Sequence, residues 1–334
     1  MEKDEIVGLD GGYSGTKVMT AAQSFMFPSA VGPARELSFT LPNSHDIAEE
    51  TVTIDGATYF TGKKAEHCCD TMLYQLTRDW LKSVNYLALL HTALRRAIKF
   101  SQPNSEIFVV SGLPVDYMKD KETAEGQIRA VAKTLGIKLS GVKILPQPFG
   151  TFFDFILDEN GEPTVTERIG MIGVIDIGQN TTDYILIRNL RDNIERANGS
   201  LTMGVFGIID GVRRDLMQMF SRDNLRYAEV EACIRKSKSI RINGEDKDVS
   251  DVVNAHISNT AQSIMGEIKS RWSKEGDVDL ILLTGGGCIL LREELKKISH
   301  TVKIMPGAQR ANARGYYKYG LLLRKGQGQY EQKG

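Results

Sequence analysis

A glycine-rich hairpin that occurs twice is the feature of this sequence that most constrains its fold. One short apolar strand ends at Asp10 and another at Asp176, and each aspartate is followed by a tight turn and a second strand. Nothing recurs at a period of about 20 to 50 residues, which excludes a short-period solenoid. The sequence therefore predicts two similar halves, each built around its own hairpin.

Helical and extended patterns alternate along both halves, which predicts an α/β fold. In the first half, the expected helices cover 88–100 and 123–135, and the expected strands cover 107–111 and 143–145. In the second half, helices are expected over 205–219, 252–271, 290–298 and 311–323, and strands over 279–283 and 302–305. A chain of 334 residues is too long for one small core, so we expect two lobes of roughly 150 residues each.

Charge and cysteine content narrow the functional classes. The 42 basic and 42 acidic residues cancel, so the chain lacks the basic excess that drives direct binding to nucleic acid. The four cysteines show no CxxC spacing, which fits reduced thiols in the cytosol. The sequence shows neither a signal peptide nor an apolar run of membrane-spanning length, so we expect a cytoplasmic protein without membrane contact.

The first hairpin has the residues of a phosphate-binding loop, Asp10-Gly11-Gly12-Tyr13-Ser14-Gly15-Thr16-Lys17. Backbone N–H groups of a glycine-rich turn can surround phosphate oxygens, and an aspartate can hold Mg²⁺ through the water ligands of the ion. We expect Asp10 to hold the metal and Ser14 and Lys17 to contact the terminal phosphates. Taken alone, the motif also fits an ordinary hairpin with a solvent-facing lysine.

The second hairpin offers a matching carboxylate. Because Mg²⁺ keeps several waters and takes few protein carboxylates, Asp10 and Asp176 together would suffice to hold a hydrated ion. Further phosphate contacts are expected from the turn that follows Asp176, at Gly178, Asn180, Thr181 and Thr182. A cross-strand position within the sheet is the alternative for Thr182.

The third motif, Gly285-Gly286-Gly287, lies between an apolar strand and a helix. A corner of this kind puts bare backbone beside a ligand at the carboxyl edge of a sheet, which predicts a platform for a nucleoside or ribose. A plain tight turn is the alternative. Three consecutive glycines cost more chain entropy than a plain turn would require.

In this order, the three motifs resemble the phosphate 1, phosphate 2 and adenosine motifs of the actin, sugar-kinase and heat-shock-chaperone superfamily. Four further segments are similar to prokaryotic actin-like proteins of the plasmid-segregation ParM/StbA-like family and their archaeal relatives, and the resemblance runs from Val7 to about Leu322. These segments are Phe27-Pro28-Ser29-Ala30-Val31-Gly32, Tyr59-Phe60-Thr61-Gly62, Val110-Ser111-Gly112-Leu113-Pro114-Val115 and Ala311-Asn312-Ala313-Arg314-Gly315-Tyr316-Tyr317-Lys318-Tyr319-Gly320.

The resemblance implies an actin-like two-lobed fold of duplicated βββαβα, ribonuclease-H-like domains, with small inserted subdomains and a nucleotide cleft between the lobes. Lobe I is expected to comprise 1–155 and 308–334, with an insertion at about 28–72. Lobe II is expected to comprise 156–307, with an insertion at about 206–273.

The resemblance also implies a function. Subunits would bind ATP or GTP with Mg²⁺, assemble with one another into a helical filament, and destabilise that filament on hydrolysis. A DNA-bound adapter protein would connect the filament to a plasmid, which agrees with the neutral charge of the chain.

Gln147 is the candidate for orienting the attacking water. The segment 144–150 ends a strand and opens an apolar helix, where the family has a catalytic Gln or Glu. An amide is not a base at neutral pH, so Gln147 would act by hydrogen bonding, with Asp176 as the second catalytic residue and Asp183 as a further candidate. Alternatively, Gln147 merely occupies the strand-to-helix turn while Pro148 begins the helix.

Two other functions are compatible with the same motifs. A small-molecule kinase would need a carboxylate base and an acceptor-binding loop, neither of which is identified in the sequence. A nucleotide-binding scaffold with vestigial hydrolysis is the other alternative, and the intact Asp10, Lys17 and Asp176 weigh against it.

Overall fold

The computed structural model describes residues 4–35, 47–69, 78–102, 105–165, 169–297 and 302–331. The chain divides into two compact units, the first formed by 1–167 and 310–334 and the second by 168–309. Two parts of the predicted first insertion, 36–46 and 70–72, lie outside the described residues.

The described residues form the following strands and helices. The strands are β1 (Glu5–Gly11), β2 (Gly15–Met19), β3 (Ser24–Pro28), β4 (Val31–Pro33), β5 (Thr51–Ile54), β6 (Ala57–Thr61), β7 (Ile107–Leu113), β8 (Leu139–Pro146), β9 (Met171–Ile177), β10 (Thr182–Arg188), β11 (Asp192–Asn193), β12 (Gly199–Leu201), β13 (Ser239–Ile242), β14 (Glu245–Asp248), β15 (Leu280–Thr284) and β16 (Val302–Ile304). The α-helices are α1 (Gly62–Cys68), α2 (Val84–Ala97), α3 (Lys121–Thr134), α4 (Gln147–Ile156), α5 (Val205–Met219), α6 (Tyr227–Arg235), α7 (Ser250–Trp272), α8 (Cys288–Leu295) and α9 (Ala311–Glu331).

The main sheet of the first unit has the strand order β3-β2-β1-β7-β8. Strands β1, β2 and β3 pair antiparallel through their hairpins, whereas β1, β7 and β8 pair in parallel. Apolar runs such as the one in β1 fit strands that are covered on both faces, because parallel strands are normally buried by helices.

The main sheet of the second unit repeats this arrangement. Its order is β11-β10-β9-β15-β16, with β12 also paired to β10. Strands β9 and β10 form the antiparallel hairpin, and β15 and β16 continue the sheet in parallel with β9. The duplication that the two hairpins predict is therefore present as a repeated sheet topology.

Smaller elements interrupt both units. In the first, β4, β6 and β5 form a three-stranded sheet, and Asp55 and Gly56 make the turn between β5 and β6 with φ values of +50° and +81°. In the second, α6 leads into the two-stranded β13–β14 hairpin, which α7 follows.

Most predicted elements are confirmed, and their ends differ for local reasons. Helix α2 begins four residues before the expected start because the Ser83 hydroxyl accepts a hydrogen bond of 3.2 Å from the Tyr86 N–H, which caps the helix. Strand β8 is longer than expected because it pairs with β7 from Leu139 to Pro146, with one shift of register between Leu139 and Gly141. Helix α5 has the predicted bounds, Val205–Met219.

Each unit has its own hydrophobic core. In the first, β1 and β7 pack against α2 and α3 through Val7, Leu9, Val109, Leu94 and Ile128. In the second, β9, β10 and β15 pack against α5, α7 and α8. Among the described helices, none combines the length and the apolar composition that crossing a membrane requires.

Candidate functional site

The first hairpin places Lys17 opposite Asp10. The two residues are cross-strand partners in the β1–β2 ladder, and the N–H of Gly12 closes the turn by donating to the carbonyl oxygen of Gly15 at 3.2 Å. Lys17 Nζ lies 3.0 Å from Asp10 Oδ2, and Asp10 is only 4% exposed. The lysine is therefore directed at the carboxylate. The alternative for this motif, an ordinary hairpin, would have the lysine facing solvent.

The turn of this hairpin is held from outside by Ser29. Its hydroxyl donates to the Gly12 carbonyl at 2.6 Å, and its N–H donates to the Ser14 carbonyl at 3.2 Å. The Ser14 side chain itself is exposed, so its hydroxyl is accessible to a ligand. Tyr13 packs its ring against Trp80 at a centroid distance of 5.3 Å, which anchors the loop to the core. Ser29 lies outside the hairpin motif, so the motif alone does not indicate its role. It belongs to segment 27–32, which is similar to prokaryotic actin-like proteins.

Gln147 reaches the same carboxylate from the other side. It is the first residue of α4, directly after β8, and its amide Nε2 donates to Asp10 Oδ1 at 3.4 Å. Asp10 thus receives Lys17 on one oxygen and Gln147 on the other. Three residues that the sequence predicts for separate roles form one polar cluster in the first unit.

The second hairpin repeats the backbone arrangement of the first. Asp176 lies near the carboxyl end of β9, is 8% exposed, and faces Asp183 in the antiparallel ladder. The Gly178 N–H donates to the Thr181 carbonyl at 2.8 Å, which closes the turn that also contains Asn180. Asp176 is therefore buried at the start of a tight loop, as Asp10 is.

The side chains that follow this turn are engaged inside the second unit. The Thr182 hydroxyl is fully buried and donates to the Met203 carbonyl at 2.7 Å, which corresponds to the cross-strand alternative. The Thr181 hydroxyl donates to Asp183 Oδ2 at 2.9 Å, and the Ser200 hydroxyl donates to Asp183 Oδ1. Asp183 is thereby held within the sheet, and the amides of the turn remain the groups best suited to phosphate.

The glycine triplet lies against Asp176. Gly285 has φ +84°, and a Cβ there would overlap the Ile177 carbonyl and the Asp176 carboxylate, so only glycine allows this approach. The Gly287 N–H donates to the Ile177 carbonyl at 2.9 Å. Strands β9 and β15 bring the two motifs together because Thr284 pairs with Asp176 in parallel register. The second and third motifs are therefore adjacent in the second unit.

The pKa of Cys288 depends on its surroundings at this corner. It is the first residue of α8 and is fully buried. Burial raises the pKa of its thiol to about 11, and the negative charge of Asp176 contributes to this rise. The thiol is consequently protonated at neutral pH and unsuited to nucleophilic chemistry.

Helices α5 and α6 provide three contacts that the motifs do not indicate. The Gln179 amide donates to the Tyr227 hydroxyl at 2.6 Å, and the Phe206 ring stacks on Tyr227 at 5.5 Å between centroids. The Arg235 guanidinium donates to the Gly286 carbonyl at 3.5 Å, so the basic segment at the end of α6 reaches the glycine triplet. Such contacts join residues that are distant in sequence. In the sequence, the only sign of them is that these residues are aromatic or charged.

The donor set at these loops fits a hydrated magnesium ion and a phosphate chain. Two buried carboxylates, Asp10 and Asp176, each precede a turn whose backbone N–H groups can bind anionic oxygen. Among the described residues, no group of three or more His, Cys, Asp or Glu side chains forms a direct metal-binding cluster. Mg²⁺ that keeps its waters needs only one or two carboxylates, so the residues present suit this ion.

Two family models match the chain in succession. The model for the N-terminal domain of actin-like proteins matches residues 8–150, and the model for the C-terminal domain of archaeal MreB-like actin homologues matches residues 174–297. Together they cover most of the chain. The chain is an actin-like protein. The family resemblance and the fold that the sequence predicts are thereby confirmed.

Solved structures agree on the fold of this actin-like protein. A non-polymerisable quadruple mutant of pCBH ParM matches with a TM-score of 0.78 and 20% identity, over 95% of this chain and 99% of the ParM chain. The archaeal actin homologue Ta0583 matches with a TM-score of 0.75 and 20% identity, again over 95% and 99%. A 15-stranded ParM filament from Clostridium botulinum matches with a TM-score of 0.75 and 21% identity over the same shares. No curated protein sequence matches the chain.

Proposed function

We propose that this actin-like protein is a filament-forming ATPase that binds ATP with Mg²⁺ and whose polymerisation is controlled by hydrolysis. The observation that supports this most directly is the cluster at Asp10, where a buried carboxylate contacts a cation, Lys17, and an amide, Gln147. Phosphoryl transfer to water depends on positioning and charge stabilisation, and these three groups supply both.

Each residue of the cluster has a role in this proposal. Asp10 and Asp176 are the carboxylates that would bind waters of Mg²⁺, which would supply positive charge to the phosphate chain. When nucleotide binds, the Lys17 ammonium group leaves its ion pair with Asp10 and contacts the terminal phosphates instead. Backbone N–H groups of the two hairpin turns bind phosphate oxygens, and the 285–287 corner receives the nucleoside.

Gln147 orients the attacking water. Its amide can donate through Nε2 and accept through Oε1. It can therefore donate to the Asp10 carboxylate through Nε2 and accept a hydrogen bond from water through Oε1. Because an amide cannot take up the proton, we expect slow turnover, as in GTPases that rely on a glutamine.

Self-association is the second part of the proposal. ParM from Clostridium botulinum and Alp12 are described as filaments, and Ta0583 has been solved in complex with ADP. We propose that this chain likewise assembles in a nucleotide-dependent way and moves plasmid DNA. Because its net charge is zero, we assign the contact with DNA to an adapter protein.

Light scattering and phosphate release, measured together on the purified chain with Mg-ATP or Mg-GTP, test the proposal. A filament ATPase scatters light above a critical concentration and loses scattering as phosphate accumulates. Asp10→Asn and Asp176→Asn should abolish both signals, whereas Asp251→Asn, an exposed residue in the first turn of α7, should leave them unchanged. Phosphate transfer only with an added acceptor would indicate a kinase, and binding without either signal would indicate a scaffold; each result would overturn the proposal.

A further inference from the structure

Helix α9 contacts the first turn of α4, where Gln147 lies. The Tyr316 hydroxyl donates to the backbone carbonyl of Gln147 at 3.2 Å. Tyr316 is fully buried and is among the largest side chains of the described residues to be so. A buried tyrosine keeps its hydroxyl hydrogen-bonded because an unsatisfied polar group inside a protein is costly. The main chain of Gln147 is therefore tied to a fixed side chain from a distant part of the sequence.

Gly112 provides the space for this hydroxyl. A Cβ at Gly112 would overlap the Tyr316 hydroxyl and lie 2.6 Å from the Tyr316 Cζ. Gly112 is inside strand β7, where glycine weakens pairing and usually indicates that another group approaches closely. Here the group is the end of the Tyr316 side chain, so strand, tyrosine and Gln147 carbonyl form one packed unit.

A second tie between the same helices is independent of Tyr316. The Asn312 Oδ1 accepts hydrogen bonds from the Thr151 N–H at 3.1 Å and from the Thr151 hydroxyl at 2.7 Å. Both residues are buried. These two hydrogen bonds therefore still join α4 to α9 when the Tyr316 hydroxyl is removed.

The position of the Gln147 main chain determines where its amide can reach. The residue lies between Pro146 and Pro148, whose fixed φ angles restrict the backbone on both sides. Its side chain extends to Asp10 Oδ1, with Nε2 at 3.4 Å. A displacement of about 1 Å at a reacting group can lower a rate about a hundredfold, so an anchor on this carbonyl has consequences for catalysis.

We propose that Tyr316 is a positioning residue for nucleotide hydrolysis, because its hydroxyl holds the Gln147 carbonyl and thereby sets the Gln147 amide beside Asp10. This inference rests on the proposed function of Gln147. The proposed role of Tyr316 can be separated from a role in folding, because Tyr316→Phe removes the hydroxyl and keeps the aromatic ring.

The test is a double-mutant cycle on the full chain with Mg-ATP. Tyr316→Phe should lower the rate of phosphate release about fivefold or more while ATP affinity and the melting temperature change little. In the Gln147→Ala background, the same substitution should have no further effect. Tyr319→Phe is the matched control, because Tyr319 lies on the same helix and contacts α4 through ring stacking on Phe153 at 4.2 Å.

A second measurement does not depend on activity. In nucleotide-free protein labelled with ¹⁵N-glutamine, the side-chain amide resonance of Gln147 should shift in Tyr316→Phe and stay in place in Tyr319→Phe. An unchanged resonance together with an unchanged rate in Tyr316→Phe would overturn the inference and leave the proposed function intact, provided that Gln147→Ala slows hydrolysis.

Two further outcomes would contradict the inference or its premise. An equal loss of rate from Tyr316→Phe in both backgrounds would mean a structural role and would overturn the inference. Full hydrolysis by Gln147→Ala would instead refute the role of Gln147 on which the inference depends.

Discussion

Gly315 of α9 lies directly against Gly150 of α4. A Cβ on Gly315 would overlap the Gly150 carbonyl oxygen and lie 2.8 Å from the Asp154 N–H nitrogen. The obstructing atoms belong to backbone, which cannot move aside as a flexible side chain can. This close approach lets Tyr316 reach the Gln147 carbonyl and Asn312 reach Thr151.

Gly315→Ala should therefore destabilise the chain, although alanine normally favours a helix. We expect overpacking to outweigh the gain in helix propensity and to lower the free energy of unfolding by about 1–3 kcal/mol. Gly126→Ala in α3 is the matched control, because nothing lies within 4 Å of a Cβ there. That control should stabilise the helix by up to about 1 kcal/mol. Urea denaturation of both variants checks the prediction, and equal effects would contradict it.

A buried ion cluster joins the same two helices. Asp154 accepts from Arg314 Nη2 at 2.6 Å and lies 3.0 Å from Lys318 Nζ, with its own side chain only 3% exposed. Asp154→Asn should lower the free energy of unfolding by about 3–5 kcal/mol, because the lysine and arginine lose their buried counter-charge.

Glu159 is the control for this cluster. It lies 3.3 Å from the same Lys318 Nζ, but its side chain is 70% exposed. Glu159→Gln should cost less than about 1 kcal/mol, since water screens an exposed pair. Denaturation midpoints that fall equally in both variants would show that burial does not determine the strength of this cluster.

Lys17 should discriminate between nucleotides by the number of their phosphates. If its ammonium group binds the terminal phosphates, Lys17→Met should weaken ATP binding about tenfold or more and ADP binding less. Calorimetric titration of both nucleotides measures the difference, and Lys133→Met, an exposed lysine of α3, is the control. Melting curves of Lys17→Met are also needed, because Asp10 loses its ion-pair partner in this variant and its stability can change. Equal losses for ATP and ADP would contradict the assignment.

The Cys288 thiol should respond to the charge of Asp176. Its pKa is raised above 9 to about 11, so the folded state favours the protonated thiol, and its contribution to stability is present below pH 9 and is lost as pH rises through 11. Asp176→Asn removes a negative charge and should lower this pKa, so alkylation of Cys288 should begin at lower pH. Mass spectrometry across a pH series reads the change.

Cys233 is the internal control for this experiment. It is also buried, and burial alone raises the pKa of its thiol. Its alkylation profile should be the same in both proteins. A shift at Cys233 equal to that at Cys288 would point to general loosening of the second unit rather than to the charge of Asp176.

Local patterns account for what could be predicted. The hairpins at Asp10 and Asp176, the corner at 285–287 and the helix over 205–219 each depend on residues that are neighbours in sequence, so glycine spacing and apolar periodicity reveal them. The assignment of Gln147 to a strand-to-helix junction succeeded for the same reason.

Partner choice could not be predicted in this way. Thr182 is available to phosphate by sequence, but the fold gives its hydroxyl to Met203. Packing likewise determines three other contacts: the Lys17–Asp10 ion pair, the hydrogen bond from Ser29 to the Gly12 carbonyl, and the hydrogen bond from Gln179 to Tyr227. A hydroxyl or an amide has several acceptable partners, and only the positions of the strands and helices select one.

The sequence by itself determined the two hairpins, the glycine corner and the alternating α/β pattern, because backbone geometry and burial act over a few residues. The tertiary structure alone decided that Tyr316, 169 residues from Gln147 along the chain, would hold its carbonyl. No local preference encodes such a contact. It arises because β7 and α4 each leave room with a glycine, and α9 packs into the space that results.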